Sequence, residues 1–175
     1  RGLPAARESG VKVAEGEYVL HCDSDDWMEL NMCEKLYNTA LEGNHDVVIC
    51  DYYKSESTTK YKHIKQNVSE DKVALIKSLI NETVHGAVWN KLVRRQMYQS
   101  KIFYPKDNLR EDLTLSVQLI SYAQKIKYIS FPLYHYFDNN ASITQKELSY
   151  EMNLERHMQS IRNCQLLEDF LCFND

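Results

Sequence analysis

Three carboxylates crowd into four residues of this chain, Asp23, Asp25 and Asp26, at the end of a short apolar run from Tyr18 to Cys22. Acidic groups this close repel one another unless a cation or a bound ligand offsets the charge. Hard divalent ions such as Mg²⁺ or Mn²⁺ take oxygen ligands, commonly one or two carboxylates together with phosphate oxygens and water. The spacing Asp23-Ser24-Asp25 suits that role, because alternate residues of an extended segment point the same way. The competing reading is that Ser24, Asp25 and Asp26 cap a helix beginning near Met28–Leu30. A second acidic pair, Glu111-Asp112, opens an amphipathic helical pattern through Leu113, Leu115, Val117, Leu119 and Ile120. Acids in a first helical turn are favoured by the helix dipole; a loop–helix junction can equally hold a carboxylate at the mouth of a sheet. Trp89-Asn90-Lys91 offers a flat apolar face, an amide and a cation, after small residues that let backbone approach a ligand. A packing Trp beside an exposed basic turn fits the same letters. His135, in the alternating run Tyr134-His135-Tyr136, reads as a structural histidine in preference to a phosphate contact.

These groups need a scaffold, and the patterning supplies one. Pro4 stands at a helix N1 position, with a helix over Ala5–Ala14 ending at Gly16. A helix follows the acid cluster with Leu30, Cys33, Leu36, Tyr37, Ala40 and Leu41 as its stripe, stopped by Gly43-Asn44. Asp46–Asp51 is a second buried strand, and the polar stretch Lys54–Lys65 is an exposed loop or edge hairpin with a solvated His63. Ser69 with Asp71-Lys72 starts a helix whose Val73, Ile76, Leu79 and Ile80 face the core. Ile126–Ser130 and Leu133–Phe137 read as two short strands joined at Pro132, and Tyr150–Phe173 as a long helix with Leu154, Met158, Ile161, Leu167 and Phe170 in its stripe. That helix either covers the domain or supplies a contact for self-association. Apolar strands alternating with helices predict an α/β fold with a mostly parallel sheet, whose ligands sit beyond the carboxyl ends of the strands.

At 175 residues and 43% hydrophobic, the chain can bury a real core as one domain. A formal charge of −4 argues against nucleic acid as a partner. The five cysteines show no zinc-type spacing and read as free buried thiols of a reducing compartment, which points to the cytoplasm, with the inner face of the membrane as an alternative place. No run approaches the ~20 apolar residues of a membrane span.

The order of motifs resembles the nucleotide-sugar domain of family-2 glycosyltransferases. Ala6-Arg7, Gly10, Ala14-Glu15-Gly16-Glu17-Tyr18 and Asp23-Ser24-Asp25-Asp26 form one island, with Glu8 where the family usually has Asn. Trp89-Asn90-Lys91-Leu92 with Arg94-Arg95, Glu111-Asp112, and Pro132–Tyr136 leading to Ala141-Ser142-Ile143-Thr144 form three more. The resemblance implies a partial GT-A fold over residues 1–145, with 146–175 a C-terminal helix, and a chain whose first nucleotide-binding strands are missing. It implies Asp112 as catalytic base, Asp25 and Asp23 as metal ligands, and Arg7, Asp23, Asp25, Asn90 and Lys91 around the nucleotide-sugar donor. Asp26, Trp89, Glu111 and His135 would support that site or face the acceptor. The expected reaction is metal-assisted transfer of a sugar, with inversion, to a saccharide or lipid-linked acceptor in surface polysaccharide synthesis. A metal-dependent nucleotidyl- or phosphotransferase, or a binding fragment without activity, are the alternatives.

Overall fold

The longest apolar run of the first half forms the centre of the sheet. The structure, a computed structural model, describes residues 2–137 and 149–173; the Ala141–Thr144 motif and the expected boundary near residue 145 lie outside them. In chain order the elements are α1 (Leu3–Val13), β1 (Tyr18–Leu20), β2 (Trp27–Met28), α2 (Met32–Gly43), β3 (Val47–Ser55), β4 (Tyr61–Ile64), α3 (Lys72–Ile80), β5 (Lys91–Arg94), α4 (Glu111–Tyr122), β6 (Ile126–Phe137) and α5 (Tyr150–Phe173), with a 3-10 turn at Arg95–Gln99. The strands form one six-stranded sheet in the order β1-β5-β3-β6-β2, with β4 also on β3.

The α/β class is as expected, but the strand directions are not. Only β3 and β6 run parallel; the other four ladders among the described residues are antiparallel. A strand reads as continuously apolar when helices cover both its faces, whatever the direction of its neighbours. Here both faces are covered. Val48, Cys50 and Tyr52 of β3 pack with Met32, Leu36 and Ala40 of α2, while Val47 and Ile49 pack with α3, α4 and α5.

Several boundaries shift for local reasons. Trp27-Met28 pair with Tyr134-His135 as a short strand, so α2 begins at Met32 and not near Met28–Leu30. Its buried stripe is accordingly Met32, Leu36 and Ala40, leaving Leu30 and Leu41 exposed. It ends as predicted, with Asn44 in the left-handed region at φ 52°. The stripe of α3 is also rotated: Leu75 and Leu79 are buried, whereas Val73 and Ile80 are exposed. Its cap is Asp71, which accepts a bond from the Ala74 amide at 2.8 Å. The two strands predicted around Pro132 are one, β6, with a register shift opposite Cys50–Tyr52 that accommodates Pro132.

α4 is not half-exposed. Nine of its residues, Glu111 and Leu113–Ile120, are buried, so it runs through the core layer between α3 and α5. The C-terminal part of α5 packs there through Leu167 and Phe170, while Leu154, Met158 and Ile161 remain exposed. Asn163 of α5 donates to the carbonyls of Asp107 and Leu109, tying the helix to the loop before α4. All five cysteines are free, as expected, but only Cys50 is buried. No helix among the described residues is long and apolar enough to cross a membrane.

Candidate active site

α1 and α4 meet across the end of β1, and one side chain joins them. Arg7 is 7% exposed, donating from Nη2 to Asp23 Oδ1 at 3.0 Å and from Nε to Glu111 Oε1 at 2.9 Å. Burial works against its charge, but Glu111 and Asp23 outweigh that and hold its pKa above the ordinary value. Arg7 is therefore a partner of carboxylates. It draws the acid turn and the Glu111-Asp112 pair, 88 residues apart from Asp23 to Glu111, into one site.

The three acids of the turn have different surroundings. Asp23 is half-buried, and burial raises its pKa although Arg7 pulls the other way. Asp26 accepts from the Tyr134 hydroxyl at 2.8 Å and from the Phe137 amide at 2.8 Å. Burial nonetheless pushes Asp26 up to about 6. Asp25 is exposed. Among the described residues no group of three or more His, Cys, Asp or Glu side chains is placed to hold a metal ion. The donor set thus fits a hard divalent ion only in the way such ions usually bind nucleotides, through one or two carboxylates with phosphate and water. Asp25 and the part of Asp23 not taken by Arg7 would be the groups for it.

Asp112 lies at the other side, at the start of α4, and is partly exposed in a cleft of about 250 Å³. His85, Gly86, Ala87, Glu82 and Arg110 share that cleft. Its Oδ1 accepts from the Leu113 amide at 2.8 Å. The negative charge of Asp112 acts on Asp23, Glu111, His85 and Lys91, which places these groups around it. Glu82 and Arg110 are ion-paired and both hold left-handed backbone, φ 56° and 62°. Non-glycine residues pay for such conformations, and these outliers gather at functional sites. Glu111 is 2% exposed and its Oε2 has no hydrogen-bond partner among the described residues; burial pushes its pKa up to about 7 despite Arg7.

Trp89, Asn90 and Lys91 stand differently from the expectation that they meet a ligand. All three are at most 2% exposed. Trp89 stacks on Tyr134, ring centroids 4.4 Å apart, and packs edge-on to Tyr52. Asn90 donates to the Cys50 carbonyl at 2.9 Å. Lys91 Nζ donates to the His85 carbonyl at 3.0 Å, to Asn90 Oδ1 at 2.9 Å and to the Ala87 carbonyl. Its three donors are therefore spent on the loop, and burial lowers its pKa to about 8. With the Gly86 carbonyl held by Ser116 at 2.7 Å, every main-chain carbonyl from His85 to Ala87 is anchored from behind. The segment builds one wall of the Asp112 cleft and does not itself reach into it.

His135 is buried among contacts within the protein. Nδ1 pairs with Ser55 at 2.9 Å, Nε2 with Glu29 at 3.0 Å, and the ring stacks on Trp27 at 4.8 Å. His63 is not simply solvated: it bonds Asp51 Oδ2 at 2.7 Å, and buried Asp51 also accepts from Tyr128, Ser130 and the Gln66 amide. Sequence reasoning passed over His85. Its Nδ1 accepts from the Ala87 amide at 3.1 Å, which in the neutral ring leaves the proton on Nε2. Burial, then Lys91, lowers its pKa. The signal was a histidine followed by small residues, His85-Gly86-Ala87, with His85 four residues before Trp89.

Known proteins resemble this chain in sequence and in fold. The chain is 35% identical over 154 residues to EpsH of Bacillus subtilis (strain 168), a glycosyltransferase by name, covering 83% of this chain and 44% of EpsH. It is 26% identical to the glycosyltransferase EpsJ of the same organism over 167 residues, 90% of this chain and 48% of EpsJ. The chain thus spans about half the length of these relatives. The structure of S. aureus TarS 1–349 in complex with UDP-GlcNAc superposes on 97% of this chain and 52% of that one, with a TM-score of 0.66 at 18% identity. That likeness shows the GT-A-type fold. The pattern of glycosyl transferase family 2 matches residues 1–106, and the chain belongs to that family.

Proposed function

We propose that this chain supplies the acid turn and the base for transfer of a sugar from a nucleotide-diphosphate sugar to an acceptor hydroxyl, with inversion. The observation that carries the reading is Arg7, whose two ion pairs fix the turn after β1 against the start of α4. Donor and acceptor groups then face one another across a single site. Family membership and a TarS structure that holds UDP-GlcNAc support a nucleotide-sugar donor.

In this reaction the bond between the anomeric carbon and the diphosphate oxygen breaks, and a bond from the acceptor oxygen forms on the opposite face. Asp112, part-exposed in its cleft, takes the acceptor's proton as that oxygen attacks. The diphosphate leaves with the electron pair. Asp25 and Asp23 would hold a divalent ion, which when bound supplies positive charge beside the departing phosphates. Arg7 keeps Asp23 in place and limits the repulsion among the acids. His85 and the anchored carbonyls shape the acceptor side. A single displacement needs no enzyme nucleophile. The acceptor would be a saccharide or a lipid-linked saccharide at the inner face of the membrane, in surface polysaccharide synthesis.

Titrating UDP, GDP, CDP and dTDP in turn by calorimetry, with and without Mn²⁺, tests the reading. Binding of one of them, strengthened by the metal, supports it. Failure of the whole protein to bind any of the four would sink it.

A further inference from the structure

The acid turn is held from outside by a residue on the last strand. The Tyr134 hydroxyl accepts from the Asp23 amide at 3.0 Å and donates to Asp26 Oδ2 at 2.8 Å. The Asp26 amide closes the turn onto the Asp23 carbonyl at 3.2 Å, and Asp26 Oδ1 takes the Phe137 amide at 2.8 Å. One phenolic oxygen thus joins both ends of the turn, and both oxygens of Asp26 are occupied. Such a clasp has a physical purpose: three carboxylates in four residues push the turn open, and two hydrogen bonds to a fixed point oppose that.

The fixed point is rigid. Tyr134 is 0% exposed, and its ring lies 11° from parallel with Trp89. Trp89 leads into Asn90 and Lys91, and Lys91 anchors the wall of the Asp112 cleft. The acid turn and the cleft are therefore referenced to the same stacked pair.

We propose that Tyr134 is the positioning residue of the donor side, its hydroxyl acting through Asp26 to set Asp23 and Asp25 for a nucleoside diphosphate, and that Asp26 belongs to this clasp and is not a ligand of donor or metal. The proposal rests on the donor site described under Proposed function. Without the hydroxyl, the Asp23 amide and Asp26 Oδ2 lose their shared partner, and the turn relaxes under its own charge. The cost falls on donor affinity, and it falls with or without a divalent ion.

The test uses wild type, Tyr134→Phe, Asp26→Asn and the double variant of the whole protein. The probe is whichever of UDP, GDP, CDP and dTDP wild type binds most tightly, titrated in EDTA and again in Mn²⁺, with melting temperatures recorded alongside. Tyr134→Phe keeps the ring and its stack on Trp89 and removes only the oxygen. Each single substitution should weaken binding by about tenfold in both media, the scale of one polar contact. The double variant should be no weaker than the poorer single, because both remove the same contact. Unchanged affinity in Tyr134→Phe with a lowered melting temperature would show a merely structural tyrosine and overturn the proposal. Multiplying effects, with loss of the Mn²⁺ enhancement only in Asp26→Asn, would make Asp26 a ligand and overturn it as well. If wild type binds none of the four, the donor site itself fails, and this inference with it.

Discussion

Glu111→Gln offers a direct measure of whether burial or ion pairing wins at the centre of the site. The Glu111 carboxyl is 2% exposed, with Oε1 on Arg7 at 2.9 Å and Oε2 without a partner among the described residues. Burial lifts it from 4.5 to about 7; Arg7 pulls it down and Asp112 pushes it up. The span from 4.5 to about 7, at ~1.4 kcal/mol per pH unit, corresponds to on the order of 3 kcal/mol. The sign follows from the raised pKa. Between those limits the native protein keeps a proton that the unfolded chain releases. Glu111's contribution is therefore full below about pH 4.5 and is lost as pH rises through about 7. Glutamine has no such proton. Relative to wild type, the variant should gain on the order of 3 kcal/mol between about pH 4.5 and about pH 8. Urea unfolding of both proteins across that range supplies the difference curve. Taking the difference matters, because His21, which burial and then Arg7 push down to about 4, tilts both proteins alike in the opposite direction. A flat difference, or wild type gaining on the variant as pH rises, would show Glu111 ionised throughout and refute the reasoning.

Three further substitutions separate roles within the site. Asp112→Asn should lower transfer by about 10²–10⁴-fold with donor affinity unchanged; if it served only the helix start, stability would drop by roughly 0.3–1 kcal/mol and turnover per folded molecule would survive. Asp25→Asn should abolish divalent-dependent donor turnover and leave the melting temperature unchanged, since Asp25 is exposed; full activity would remove it as a metal ligand. Lys91→Met should destabilise the protein by about 2–4 kcal/mol, because three acceptors, two of them buried, lose a charged donor; an unchanged melting temperature with weaker donor binding would restore Lys91 to the ligand-facing role.

What the sequence disclosed depended on how far apart the cooperating residues lie in the chain. The acid turn and Asp112 were readable, because each is a local pattern at the end of an apolar run or the start of a helix. Their meeting was not, since it depends on Arg7 reaching Asp23, 16 residues on, and Glu111, 104 residues on. The clasp is more remote still: the Asp23 amide finds the Tyr134 oxygen 111 residues later. Trp89-Asn90-Lys91 was expected to meet a ligand, and the structure buries all three. A cation and an amide beside small residues suit a ligand and a tied-down loop equally, and only burial decides between them. Buried as they are, Asn90 and Lys91 have donors that must be satisfied within the protein, so Asn90 bonds the Cys50 carbonyl of β3 and Lys91 the loop carbonyls of His85 and Ala87. That cost has a return in the cleft. With those carbonyls turned to Lys91 and Ser116, His85 and Asp112 are left at its surface, where their charge and proton remain available to a substrate. The polar groups that line this cleft are where the chemistry should be sought.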